Sequence, residues 1–191
     1  MRVNICKRFA ALLAICISMI TSTYAQDDYV SPVKPAETGK SPGVKTERLS
    51  KEGQIETYIL IFSKGDEVVS GLTEFAQKYN VKSAHYTAIG DAASAKVGWY
   101  DATRKMFKVI PIPEPSEITS LIGDIAIFNK KPVAHTHVNL ATSDGISHGG
   151  HLLQLIVGPT LEVVVTVEPT ALYKKLDPES GAGVIDPALK Q

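Results

Sequence analysis

Residues 55–79, IETYILIFSKGDEVVSGLTEFAQKY, decide the fold class. The stretch 55–62 is rich in β-branched and aromatic residues and reads as a strand. Lys64-Gly65-Asp66 breaks it. Asp66 is the expected N-cap of a helix over 67–79, where Val68, Leu72, Phe75, Ala76 and Tyr79 recur at helical spacing and would face a sheet. Asn80 ends it. Strand after strand then follows, at 82–89, 95–100, 106–110, 118–128, 133–141, 151–157 and 161–167. Turn residues separate them: Gly90-Asp91, Asp101, the prolines of 111–115, a hairpin turn at 129–132, Asp144-Gly145 and Gly158-Pro159. One early helix followed by a run of strands predicts an α+β fold, a mostly antiparallel sheet covered by one main helix.

Outward from this core, the chain changes character. Residues 26–53 are rich in Pro, Lys, Glu, Ser and Gly and read as a flexible arm. The domain proper begins at Gln54. From Pro169 onward the chain would lie over the surface or against a neighbouring subunit, with 181–191 as a C-terminal tail. Arg2, Lys7 and Arg8 precede an apolar run at 9–20, and Thr23-Tyr24-Ala25 follows with small residues. Together these read as a secretory signal peptide over 1–25. The apolar run is shorter than the roughly 20 residues a membrane-spanning helix needs. The expectation is an exported protein, periplasmic in a Gram-negative cell, with no membrane span in its mature form.

Charge and cysteine content narrow the functions. The chain carries 20 Lys+Arg and 20 Asp+Glu, and three of the cations lie in the signal, leaving 17 against 20. A slightly acidic protein lacks the clustered cations that neutralise phosphates, so nucleic acid is not the expected partner. Both cysteines, Cys6 and Cys16, lie in the signal, which removes disulfides, thiolate ligands and thiol nucleophiles from the mature protein. No Gly-x-Ser-x-Gly or P-loop pattern occurs.

The five histidines are His85 and four within residues 135–151, VAHTHVNLATSDGISHGGH when read from Val133. Side chains alternate along a strand, so Ala134, Thr136, Val138 and Leu140 share one face, suited to a core. His135, His137 and Asn139 share the other. Histidines at i and i+2 stand about 7 Å apart at Cα, a spacing compatible with one metal ion. His151 opens the next strand, and antiparallel pairing would return it beside them. Gly149-Gly150 would allow a close backbone approach. Three neutral imidazoles with an open position form the pattern of a catalytic zinc site, although nickel, copper and iron also accept imidazole. The alternative is a polar strand face without a metal. His148 is a further member or loop surface; His85 reads first as a satisfied core histidine. Asp124, Asp144 and Glu162 are acid or base candidates by residue type alone, and Trp99 and Tyr100 read as core aromatics.

These segments resemble the plants-and-prokaryotes-conserved (PPC) domain family. The matching pieces are 59–62 with Gly65-Asp66-Glu67, Ala88-Ile89-Gly90-Asp91 leading into Val97-Gly98-Trp99-Tyr100-Asp101, and above all His135-Thr136-His137-Val138-Asn139-Leu140 continuing through Asp144-Gly145 to Gly149-Gly150-His151-Leu152. The resemblance spans 54–180. It implies an antiparallel sheet with one main helix, a homotrimer, and zinc at His135, His137 and His151. Asn139, His148, Asp144, His85, Gly149 and Gly150 are supporting candidates from the strand and loop reading alone. Plant members join the domain to AT-hooks that grip DNA; this chain has no AT-hook. Three readings follow: a metal-dependent protein acting on a small molecule, a non-catalytic binding and assembly module, or, ranked last and by analogy with the plant members, a DNA-binding protein.

Overall fold

The computed structural model describes residues 27–33 and 39–190; the signal reading at 1–25 lies outside them. Eight strands form one antiparallel sheet: β1 (Tyr29–Val30), β2 (Lys45–Arg48), β3 (Thr57–Ser63), β4 (Ser83–Asp101), β5 (Met106–Ile112), β6 (Ser116–Phe128), β7 (Lys131–Ala141) and β8 (Ser147–Val167). Helix α1 (Val68–Lys78) packs against β7 and β8. A small second sheet pairs β9 (Lys174–Leu176) with β10 (Gly183–Ile185). The α+β expectation holds.

The helix forms where its periodicity places it, with Val68, Leu72, Phe75 and Ala76 buried. Its cap differs from the expected one. Glu67 is the N-cap, and its carboxylate accepts the N–H groups of Val69 and Ser70. Asp66 instead accepts the N–H groups of Gly43 and Ser63 and closes the turn before the helix. Glu67 is fully buried because its carboxylate also accepts from Ser70 Oγ and from the N–H of Leu155 in β8, so its polar atoms are satisfied.

Two expected turns are not turns. Gly90-Asp91 and Gly158-Pro159 lie inside the long strands β4 and β8. The register between β4 and its neighbours shifts at Gly90, so the glycine marks a bulge that bends the strand instead of ending it. The bends let β4 pair with both β6 and β8, so the pairings run a closed circuit through β4, β6, β7 and β8. The other turns fall where expected; the β6–β7 hairpin turns through Asn129 and Lys130, both at positive φ.

Inside this circuit lies the core, including Tyr86, Leu121, Ile125, Leu140, Leu155 and Val165. The segment read as an arm contributes β1, paired with β5, and β2, paired with β3. Backbone pairing at open sheet edges needs little apolar side chain, which is why its composition reads as a linker. Among the described residues, no helix is long and apolar enough to cross a membrane.

Candidate metal centre

Strand alternation puts Thr136, Val138 and Leu140 of β7 in the core and turns His135 and His137 outward. Thr136 is held there by the buried Tyr86 hydroxyl at 2.6 Å. The antiparallel pairing of β7 with β8 sets His137 directly opposite His151. On its other side His151 faces Gly98 of β4. The three imidazoles therefore converge: ring centroids are 5.1 to 5.5 Å apart, and one nitrogen from each lies within 4.8 Å of the others.

Glycines make this approach possible. A Cβ at Gly150 would sit 2.8 Å from the Gly98 carbonyl, and one at Gly98 would sit 2.9 Å from the Phe107 side chain. Phe107 uses that space to stack its ring on His151, with centroids 4.3 Å apart and planes 3° from parallel. Tyr100 meets Phe107 edge-on and donates its hydroxyl to the Ser180 carbonyl, which ties the wall to the C-terminal segment.

A carboxylate and a lysine stand behind His135. Asp124 of β6 lies opposite His135 in register, and its Oδ2 is 3.1 Å from His135 Nδ1. Lys174 of β9 brings its Nζ to 3.1 Å from Asp124 Oδ1, an ion-pair contact without hydrogen-bond alignment, and its side chain is only 5% exposed. Burial pushes the Asp124 carboxyl up, but the His135 hydrogen bond and the Lys174 charge outweigh it and hold the group below the usual carboxylate range. An ionised Asp124 can only accept, so Nδ1–H of His135 donates and Nε2 is left as the free donor atom of the ring.

Two of the three rings, His137 and His151, are pushed toward the neutral form. Burial, then the positive charge His135 and His137 would carry, pushes His151 down to about 3. Burial and His135 also lower His137, with Asp124 opposing them. His151 Nδ1 is buried and finds no partner among the described residues. Three imidazole nitrogens that converge, with a buried His151 nitrogen left unpartnered, fit a divalent transition metal. His135, His137 and His151 can hold such an ion.

The other candidates stand apart from the cluster. Asn139 follows His137 on the same face and pairs with Gly149. His148 pairs with Leu140. Asp144 accepts from Thr142 Oγ1 and the Ile146 N–H, so it shapes the β7–β8 turn. His85 is not a core histidine: it is exposed on the open face of β4 and pairs with Glu168 at 2.8 Å. Trp99 is likewise 60% exposed. Sequence reasoning missed Lys174 and Phe107 altogether; neither belongs to a periodic or spaced motif.

Comparison with known proteins follows this geometry. The Plants and Prokaryotes Conserved (PCC) domain profile matches residues 49–168. No curated protein matches the chain. Among solved structures, a "putative DNA-binding protein" from Ralstonia eutropha JMP134 is 31% identical, with TM-score 0.65 over 73% of this chain and 94% of that one. A metal-containing protein from Archaeoglobus fulgidus is 30% identical, with TM-score 0.63 over 71% of this chain and 99% of that one. A plant- and prokaryote-conserved protein from Pyrococcus horikoshii is 26% identical, with TM-score 0.64 over 74% and 100%. The Ralstonia name runs against the expectation, drawn from charge, that nucleic acid is not a partner. The motifs, the sheet with the one main helix of the described residues and the profile agree: the chain belongs to the Plants and Prokaryotes Conserved (PCC) domain family.

Proposed function

We propose that this chain is an exported, homotrimeric metal-binding protein that holds zinc, or a similar divalent transition metal, on His135, His137 and His151 and offers an open position to a small molecule. The observation that carries this reading is the convergence of three imidazole nitrogens within 4.8 Å, with no carboxylate among them. The Archaeoglobus fulgidus relative, named as metal-containing, supports it. Export rests on residues 1–25 and the trimer on the family resemblance.

A bound divalent ion would supply Lewis acidity toward a ligand oxygen. The chain's own residues prepare for it. Asp124 fixes the His135 ring, Phe107 fixes the His151 ring, and both His137 and His151 stay neutral near pH 7. Elemental analysis of the purified chain tests the reading, beside a His135→Ala/His137→Ala/His151→Ala variant. About one equivalent of metal in the parent and none in the variant is expected. A parent that takes up no metal after supplementation would sink it.

The name of the Ralstonia relative favours a second reading, in which the domain binds DNA. Duplex binding at two salt concentrations separates the two, because phosphate contacts weaken steeply with salt.

A further inference from the structure

Lys174 lies beyond the region that the family profile covers, on the small β9–β10 sheet. Its side chain is nearly inaccessible, and its ammonium is spent on Asp124, not on solvent. That placement decides the charge of the centre. Imidazole ligates a metal in its neutral form, so the three donors would bring no charge, and the carboxylate behind His135 is matched by a buried cation. A neighbouring acid does not upset this balance: Glu168 is paired with His85, which stands opposite Asp124 on β4. A divalent ion held here would keep its full double charge.

Building on the metal-binding reading, we propose that the open position takes a small carboxylate anion and that Lys174 sets this preference by cancelling the charge of Asp124. A carboxylate suits the centre better than a phosphate ester does. Phosphates are gripped by bidentate arginine forks, and both described arginines are already paired, Arg48 with Glu56 and Arg104 with Asp101. One open position beside three imidazoles needs a single oxygen donor, and net positive charge selects an anionic one. The apolar Phe107 ring against His151 strengthens that selection by keeping the local dielectric low.

The test uses the full chain at saturating cobalt(II), whose absorption bands report ligands entering the coordination sphere. Acetate is the anionic probe and imidazole the neutral one. Lys174→Met leaves the Asp124 charge uncancelled and is expected to weaken acetate about tenfold. Asp124→Asn leaves the lysine uncancelled and should tighten acetate by about the same factor. The double variant Asp124→Asn/Lys174→Met restores the balance and should return acetate to within about threefold of the parent. Imidazole affinity should stay level across all four proteins. If Lys174→Met fails to fold, the parent, Asp124→Asn and double-variant comparison still decides. Equal acetate affinity in every folded protein, or imidazole shifting in step with acetate, overturns the inference while leaving the metal site standing. A parent that binds no cobalt overturns the metal reading and this inference with it.

Discussion

Two histidine–carboxylate pairs stand in one row across the open face of the sheet. His85 with Glu168 lies on β4 and just past β8; His135 with Asp124 lies on β7 and β6. The register places Asp124 opposite His85 on one side and opposite His135 on the other. By contact distance the first pair is the better one, at 2.8 Å against 3.1 Å. It is nevertheless the pair that joins no cluster. His135 has His137 two residues along its strand and His151 across the neighbouring strand, whereas the residues directly opposite His85 are Asp124 and Thr166, neither of them a histidine. Asp124 is also paired with the buried Lys174, while Glu168 has no lysine or arginine beside it among the described ion pairs. A histidine held by a carboxylate is common on a polar face. What makes a metal centre is convergence, and here the β7–β8 hairpin supplies it.

The largest effect should come from removing a convergent ring. His151→Ala is expected to weaken zinc binding by roughly a thousandfold or more, since one of three ligands is lost. His85→Ala should leave it within about twofold, because an exposed pair outside the cluster offers the metal nothing. Competition against a chromophoric chelator measures both. Comparable losses in the two variants would show that convergence does not set the two histidines apart. The supporting carboxylates should differ in the same sense. Asp124→Asn should cost about ten- to hundredfold in metal affinity, the usual effect of disturbing the partner that orients a ligating histidine. Glu168→Gln should cost less than about twofold, in the same titration.

The contrast also explains how far the sequence could be read. Alternation along 133–141 placed His135 and His137 on one face without any coordinates, because a strand has a period of two. The return of His151 followed from a short turn at Asp144-Gly145, which forces antiparallel pairing. The helix and its buried face followed from 3.6-residue periodicity. Bends inside a strand were not legible. Gly90 and Gly158 carry the same composition as turn glycines, and only pairing to partners far along the chain shows that the strand continues. Lys174 was illegible for a related reason. It reaches Asp124 from across the fold, and in the pair Lys174-Lys175 no pattern tells the buried lysine from the exposed one. His85 misled because its strand was correct but its face was not decidable from one histidine.

Proton linkage sharpens the comparison further. His151 has a folded-state value of about 3, far below the ordinary histidine value, so the folded metal-free chain resists a proton that the unfolded chain accepts. The stability this represents is whole above about pH 6.5 and is lost as pH falls from there toward 3. Denaturant unfolding of the metal-free chain should lose up to about 1.4 kcal/mol per pH unit in that window from this one group. His151→Gln should flatten the slope, and His85→Gln should leave it in place. A slope unchanged by His151→Gln would show that the proton is taken up elsewhere.

The smallest effect expected is on stability at neutral pH from breaking the outer pair. His85 and Glu168 are 62% and 40% exposed at their side chains, so water screens their attraction and competes for the same hydrogen bond. Holding both side chains in one geometry costs conformational freedom that offsets much of the gain. Glu168→Gln should therefore shift the unfolding free energy of the metal-free chain by about 0.5 kcal/mol or less. In Asp124→Asn the same chemical change falls on a part-buried group with a buried lysine beside it, and leaving that lysine without its counter-charge should cost about 2 kcal/mol or more. Chemical denaturation of the two variants in parallel measures the ratio. Equal costs would mean that the buried Lys174 confers nothing, and the shorter pair would then be as good a support as the one behind the candidate metal centre.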